Sequence, residues 1–492
     1  MATLTIRQGQ QTWTVPFDPR SSLAAVLAKA DIDRAQPCSG RGKCGKCAVA
    51  LFGCVSAPNA AEKRLGVRLA CQAILTGDAV VTLPTQLPMA RIEGGRISDL
   101  EPVLPMAGRF GAAVDIGTTT VVLELYDLHS GRCLSAASML NPQTRIAADV
   151  IGRIDSSMKG RSEELEALIC SAVQALLASA CAQAEVASAE VDAMVITGNT
   201  TMLYLLNGRD PSSLSRAPFQ ADCFYGCEAR LFSRLVYLPQ CLHAFVGADT
   251  TCALLASGMT QRSDTALLCD VGTNGELALW HQGKLFIAST AAGPAFEGAG
   301  IRWGCASIPG AIDRAEVVGG RIECHTIGDS PAVGICGSGL IDVVAAMLET
   351  GDLDETGFLE ADEFPLRDQA VLVQEDIRAV QLAKAATHAG IMSLLAAADC
   401  PPEEVTALYL AGGFGSHLNI RSAVRIGLIP AALEKRVRVI GNAALDGAAM
   451  LLMDTRLRRR IADLSDVATH VRLDGNADFS ECYIEAMMFP EE

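Results

Sequence analysis

Four thiols near the N-terminus have a spacing that could do chemistry. They lie in Cys38-Ser-Gly-Arg-Gly-Lys-Cys44-Gly-Lys-Cys47 and at Cys71, with five, two and 23 residues between successive cysteines. Thiolates bind iron–sulfur clusters and also zinc, so residue type alone leaves both open. Gly40, Gly42 and Gly45 let a loop fold tightly and aim backbone N–H groups at sulfide, which stabilises an anionic cluster. Zinc sites more often use two Cys-x2-Cys knuckles, and here one such pair is present. The pattern therefore favours a [2Fe–2S] centre over zinc or unligated thiols, with Cys38, Cys44, Cys47 and Cys71 as ligands. Cys54, between the third and fourth, reads as a packed cysteine that ligates nothing.

A second chemical signature occurs twice. Asp115-Ile-Gly117-Thr118-Thr119-Thr120 is echoed by Asp270-Val-Gly272-Thr273-Asn274-Gly275, 155 residues later, each between apolar strand-like runs. In a P-loop the glycine turn opens a helix. Here a strand follows, so each turn is the tip of a β-hairpin. Gly117, Gly272 and Gly275 would admit phosphate oxygens close to backbone N–H groups, and Thr118, Thr119, Thr273 and Asn274 would add side-chain donors. Asp115 and Asp270 are the candidate catalytic carboxylates. They would hold Mg²⁺ through its waters, because Mg²⁺ dehydrates reluctantly. An ordinary Gly-Thr hairpin explains either copy alone; two copies at corresponding places favour a nucleotide. Leu408-Tyr-Leu-Ala-Gly412-Gly413-Phe414-Gly415 is an apolar strand ending in glycines, where an adenosine could lie on bare backbone.

These motifs need scaffolds, and the sequence suggests two. Residues 3–7 and 11–15 alternate around Gln8-Gly9-Gln10, which predicts a hairpin with Leu4, Ile6, Trp13 and Val15 on apolar positions. Ser21-Ser22 then caps a short helix, and the module closes near residue 84. Pro84, Pro88, Pro102 and Pro105 with Gly94-Gly95 make 85–109 a tether. From 110 to 492, apolar strands alternate with helical patterns, the mark of α/β architecture. Predicted helices include 162–186, 250–258, 338–349, 376–397 and 443–453. Predicted strands include 111–116, 121–127, 193–197, 266–271, 276–280, 405–410 and 437–440.

Composition limits the partners. Of 492 residues half are hydrophobic, and 40 basic against 56 acidic residues give a net charge of −16. That balance speaks against nucleic acid and anionic membranes, which need clustered Lys and Arg. Arg456, Arg458, Arg459 and Arg460 read as the solvated C-terminal end of a helix. No uninterrupted apolar stretch approaches the ~20 residues of a membrane span, and the first ten residues lack a signal-peptide core. A cytoplasmic location is the expectation. In a reducing compartment the 18 cysteines are not a disulfide framework; Cys170, Cys181, Cys252, Cys269 and Cys336 read as small core residues.

The cysteine spacing resembles that of plant-type [2Fe–2S] ferredoxins, with five residues where four are commoner, and it implies a β-grasp domain over 1–84. The two hairpins and the Gly412 turn, in chain order, resemble the phosphate 1, phosphate 2 and adenosine motifs of the acetate and sugar kinase/Hsp70/actin (ASKHA) superfamily. They imply a duplicated ATPase domain over 110–492. The combination resembles the reductive activators of corrinoid-dependent methyltransferases. So do Gly198-Asn-Thr-Thr-Met202, Phe245-Val-Gly-Ala-Asp249, Ala292-Gly-Pro-Ala-Phe-Glu-Gly298, Ile335-Cys-Gly-Ser-Gly-Leu340 and Phe489-Pro490.

The resemblance implies ATP-dependent reduction of Co(II) to Co(I) on a corrinoid protein of a methyltransferase system, fed by an upstream low-potential electron donor. The implied cofactors are the [2Fe–2S] cluster, ATP and Mg²⁺, with Glu276 and Glu297 as candidate bases for hydrolysis. Alternatives are an ATP-driven electron donor like the 2-hydroxyacyl-CoA dehydratase activators, or an ASKHA small-molecule kinase. Some members of the activator family carry an extra domain between linker and ATPase domain. Here the tether runs almost directly into Asp115, so a dimer contact or docking surface supplied by that domain does not carry over from the resemblance. Oligomeric state is not readable from the chain.

Overall fold

The computed structural model describes residues 2–8, 11–30, 32, 47–65, 67–83, 99–217, 219–272, 274–412 and 418–491. Cys38, Cys44, Thr273, Gly413, Phe414 and tether residues 85–98 lie outside the described residues.

The N-terminal unit is a mixed sheet. Ala2–Gln8 pairs antiparallel with Gln11–Phe17, setting Ile6 opposite Trp13 and Leu4 opposite Val15. It also pairs parallel with Ile74–Leu83, which lies next to Ala48–Val55. Ser22 caps the helix Leu23–Lys29 by accepting from the Ala25 N–H at 3.2 Å. Leu23, Val26 and Leu27 bury that helix against Leu4, Ile6, Leu75 and Val81.

The rest is α/β, built on two six-stranded sheets. In the first, Phe110–Ile116, Thr120–Asp127 and Cys133–Leu140 form an antiparallel meander, and Val191–Gly198 and Arg234–Leu238 add parallel strands on the other side of Phe110–Ile116. In the second, Thr265–Val271, Gly275–His281 and Lys284–Thr290 form the meander, while Val405–Ala411 and Val437–Gly441 add the parallel strands. These five strands thus share order and polarity in the two sheets, while the sixth differs: Cys227–Leu231 adds antiparallel beyond Arg234–Leu238 in the first, and Ala468–His470 adds parallel beyond Lys284–Thr290 in the second. Phe110–Ile116 and Thr265–Val271 read apolar on both faces because helices cover both faces. In each, the aspartate is the one residue that is not fully buried.

Two helices cross between the sheets. Ala248–Ser257 leaves the first half and buries Ala253 and Leu254 with Leu268, Ala278 and Tyr409 of the second sheet. Ala443–Met453 leaves the second half and buries Leu445, Ala448 and Leu452 with Ala113, Val122 and Val195 of the first. Their backbones nearly touch: a Cβ on Gly447 would sit 2.1 Å from the Cys252 carbonyl oxygen. Each half therefore clasps the other's sheet, and full burial of each leucine contributes about 2 kcal/mol.

Two expectations need correction, and one helix bears on a third. Residues 99–109 do not continue a tether. The N–H of Leu100 donates to the Gly131 carbonyl, those of Val103 and Leu104 to Met453, and that of Met106 to Leu452; the Thr455 N–H donates back to Leu104. Prolines at 102 and 105 lack only their own donors, so neighbouring N–H groups remain available for this docking.

The arginine cluster lies at the start of the helix Leu457–Val467, not at a helix end. The unfavourable macrodipole there is offset by Asp454, which accepts from Arg456 at 2.8 Å, and by Glu228, which accepts from Arg458 at 2.6 Å. Finally, the helical run Val150–Gln183 is long and apolar enough by composition to cross a bilayer. Leu165, Ile169, Val173, Leu176 and Leu177 bury its apolar stripe against the first sheet, the behaviour of a core helix.

Candidate functional site

A group of carboxylates lies where the two hairpin tips face each other. Asp115 and Asp270 occupy equivalent places, next to last in the first strand of each sheet. Asp249, in the first turn of Ala248–Ser257, joins them from the crossing helix. The three are half-buried at the cleft. Burial pushes Asp115 up to about 7, and the charges of Asp249 and Asp270 add to this against a hydrogen bond from Asn442. Burial likewise pushes Asp270 up to about 7, with Asp249 and Glu297 as the added charges. Asp249 is pushed up to about 6 by burial, opposed by donors from Thr250. Glu276 stands well above its ordinary range through burial and the charges of Asp249 and Asp270. Repulsion of this kind is what a divalent cation relieves, so the donor set fits hydrated Mg²⁺.

Helix caps hold the cleft in shape. Asn442 caps Ala443–Met453, accepting from the Leu445 N–H at 3.0 Å while its Nδ2 donates to Asp115 at 3.1 Å. Asn199 caps Thr200–Leu206 by accepting from the Met202 N–H at 3.0 Å, and its Nδ2 donates to the Thr118 hydroxyl at 3.2 Å. That arrangement satisfies the Thr118 oxygen and leaves its proton to donate elsewhere.

Asn141 Nδ2 donates to the Gly117 carbonyl at 2.9 Å. Arg153 is fully buried and donates to the Thr118 carbonyl, to Ala147 O at 3.1 Å and to Gln143 Oε1 at 3.1 Å. Burial pulls its pKa down to about 9, against the opposing charges of Asp149 and Glu297. Thr119 differs from the expectation of a phosphate donor: its hydroxyl donates to Glu297 Oε2 at 2.6 Å, across 178 residues of sequence. A Cβ on Gly272 would lie 3.6 Å from Glu297 Oε1, so this carboxylate touches both hairpins.

Glycine is required where Val405–Ala411 ends. Gly412 has φ of +93°, and a Cβ there would lie 2.6 Å from Asp270 Oδ1. Of the other expected residues, Gly272, Asn274 and Gly275 form the second tip, where the Gly272 N–H donates to the Asn274 carbonyl at 3.2 Å.

In the N-terminal unit Cys47 is buried and Cys71 half-buried. Ala48 lies opposite Leu69, and the Ala70 N–H donates to the Cys47 carbonyl at 2.9 Å, so the two cysteines flank one short strand pairing. The corner carrying Cys71 is organised by Glu62, which accepts from Arg68 Nε at 3.0 Å and the Leu69 N–H at 2.9 Å. Burial alone would raise the Glu62 pKa, but these donors and Asn59 outweigh it and the net shift is downward. Two cysteines placed by the backbone at one corner fit a metal–sulfur centre. Cys54 is exposed, which corrects the expectation of a packed cysteine.

Asp249, Asn199, Asn442 and Arg153 were not singled out by motif. Asn199 and Asp249 lie within the two longer strings quoted above; nothing local marks Asn442 or Arg153.

Known proteins resemble this chain. Residues 264–492 match the family described as the C-terminal domain of RACo, the ASKHA domain, and 110–262 match the RACo middle region. The chain is similar to the corrinoid activation enzyme RamQ of Eubacterium limosum, 32% identical over 81% of this chain and 73% of that protein. It is also similar to the [Co(II) methylated amine-specific corrinoid protein] reductase of Methanosarcina barkeri, 24% identical over 74% of this chain and 73% of the other. A solved reductive activator for corrinoid, iron-sulfur protein superposes with a TM-score of 0.72 at 26% identity, covering 100% of this chain and 98% of that one. The family's middle region, residues 110–262, is the first sheet with its helices. The chain belongs to the RACo family of reductive activators of corrinoid proteins.

Proposed function

We propose that this chain is an enzyme that returns the cobalt of a methyl-transferring corrinoid protein from Co(II) to Co(I), coupling the electron transfer to ATP. The observation that carries this reading is the pair of hairpins with Asp115 and Asp270 facing one carboxylate-lined cleft, in a chain whose relatives activate corrinoid proteins. Cys38, Cys44, Cys47 and Cys71 would ligate a [2Fe–2S] centre in an N-terminal β-grasp domain over 1–84. The strand pairing that Cys47 and Cys71 flank supports that ligand set. Such a centre supplies one electron at about −400 mV, and each ~59 mV of uphill transfer costs about 1.4 kcal/mol.

The nucleotide would lie in the cleft of a duplicated ASKHA domain over 110–492. Asp115 and Asp270 would hold hydrated Mg²⁺. Gly117, Thr118, Gly272, Thr273, Asn274 and Gly275 would face phosphate, and Gly412, Gly413 and Phe414 the adenosine. Thr119 would reach phosphate only after leaving Glu297. Cleft closure that favours one complex with the corrinoid protein is how ATP would shift an unfavourable electron transfer. The net charge fits a protein partner and a small anion held through Mg²⁺, in the cytoplasm, with electrons from a low-potential donor.

The test is to mix purified Co(II) corrinoid protein with reduced activator, with and without ATP, and follow Co(I) absorbance. ATP-dependent Co(I) supports the proposal. Equal traces with and without ATP, or phosphorylation of a small molecule without electron transfer, overturn it.

A further inference from the structure

Three metal-type donors meet at the other end of the second sheet from the cleft. His281 closes the strand Gly275–His281, Cys400 follows the helix Gln374–Ala397, and Glu404 ends the turn Pro402–Glu404 before Val405–Ala411. A ring nitrogen, the thiol sulfur and a carboxylate oxygen lie within 4.8 Å of one another. His281 and Cys400 are 6% and 5% exposed, while Glu404 faces solvent. Thr265 Oγ1 lies 2.8 Å from His281 Nδ1 and fixes the ring, as outer-shell partners do at metal sites. The Thr265 carbonyl accepts in turn from the Thr406 hydroxyl at 2.9 Å.

We propose that His281, Cys400 and Glu404 bind one Zn²⁺ ion, with a fourth position left to water. Thiolate plus imidazole excludes Mg²⁺ and Ca²⁺, which take oxygen ligands, and suits zinc. A thiolate, a carboxylate and a neutral imidazole carry two negative charges, so Zn²⁺ makes the half-buried site neutral. Binding releases the Cys400 thiol proton to solvent. A seven-residue strand spans about 20 Å, so this ion is distinct from any metal held by Asp115 and Asp270. Thr265–Val271 and Val405–Ala411 begin beside it and end at Asp270 and Gly412. The ion would tie the end of Gly275–His281 to the turn that leads into Val405–Ala411, with Thr265–Val271 held beside it through the Thr265 hydroxyl.

The test uses the full chain after iron–sulfur reconstitution, so that the N-terminal cysteines are occupied. One equivalent of Zn²⁺ is added, the protein is dialysed, and zinc is measured by mass spectrometry and by X-ray absorption at the zinc edge. The expected result is one zinc per chain with one sulfur at about 2.3 Å and nitrogen or oxygen at about 2.0–2.1 Å. Cys400→Ser and Glu404→Gln should each weaken binding by about 100-fold or more, and Cys54→Ser should leave it unchanged. Glu404 is exposed, so its variant folds even if the Cys400 variant does not. Loss of zinc from the wild type on dialysis, equal retention by Glu404→Gln, or a shell of sulfur alone would overturn the proposal.

Discussion

Asp115 and Asp270 are carboxylates held where a carboxylate is costly, and their protonation follows from that. Their pKa values stand at about 7, and that of Asp249 at about 6, against an ordinary 3.8. A raised acid favours the folded state while protonated. Its contribution is whole below about 3.8 and is lost as pH rises through 6 to 7, so the nucleotide-free chain should lose stability across that interval. A dication in the cleft reverses the preference, and Mg²⁺–ATP binding at pH 6.5 should release protons. Calorimetry in buffers of differing ionisation enthalpy would read this as a slope, and a flat line would count against it. Asp270→Asn should lower ATP-stimulated Co(II) reduction by about 100-fold or more while the visible spectrum of the N-terminal unit stays unchanged.

At this scale the sequence marks Asp115, Asp270 and the Cys47/Cys71 pair because local spacing carries their chemistry. Asn442 and Arg153 are silent in sequence: an asparagine cap and a buried arginine acquire meaning only from residues more than 30 positions away.

Among the elements, the strand-to-turn junction at Gly412 is tightly constrained on the side of the cleft. A side chain there meets Asp270 Oδ1 at 2.6 Å and the Val271 carbonyl at 3.2 Å, and φ of +93° is strained for any L residue. Gly412→Ala should cost about 1–3 kcal/mol. If about 1.4 kcal/mol is relieved by displacing Asp270, ATP binding falls about tenfold, readable by titration. The expected helix 443–453 is found as Ala443–Met453 and 376–397 as Gln374–Ala397, because long apolar periodicity dominates local choices. The segment 99–109 misleads. Its prolines describe what those residues cannot donate, while the docking uses backbone carbonyls of a helix end more than 300 residues away, which no local pattern records.

For the whole molecule, the two halves depend on one close crossing. The Gly447 position is 2.1 Å from the Cys252 carbonyl oxygen by its Cβ, and the nearest atoms are all backbone, so nothing flexible can yield. Gly447→Ala should force the helices apart at a cost of about 1–3 kcal/mol. The melting temperature and ATP-stimulated reduction should both fall, with the iron–sulfur absorbance intact. A variant that melts like wild type would show that the halves tolerate separation.

The docked stretch before Phe110 has a mechanical meaning. Val103, Leu104 and Met106 are moored to Leu452 and Met453, the last turn of the helix whose opposite end, Asn442, touches Asp115. Eleven helical residues make a stiff rod of about 16 Å. If closure around a nucleotide tilted that rod, its far end would swing the root from which the preceding chain departs, and one rigid lever would then join the occupancy of the cleft to the reach of the proposed electron carrier.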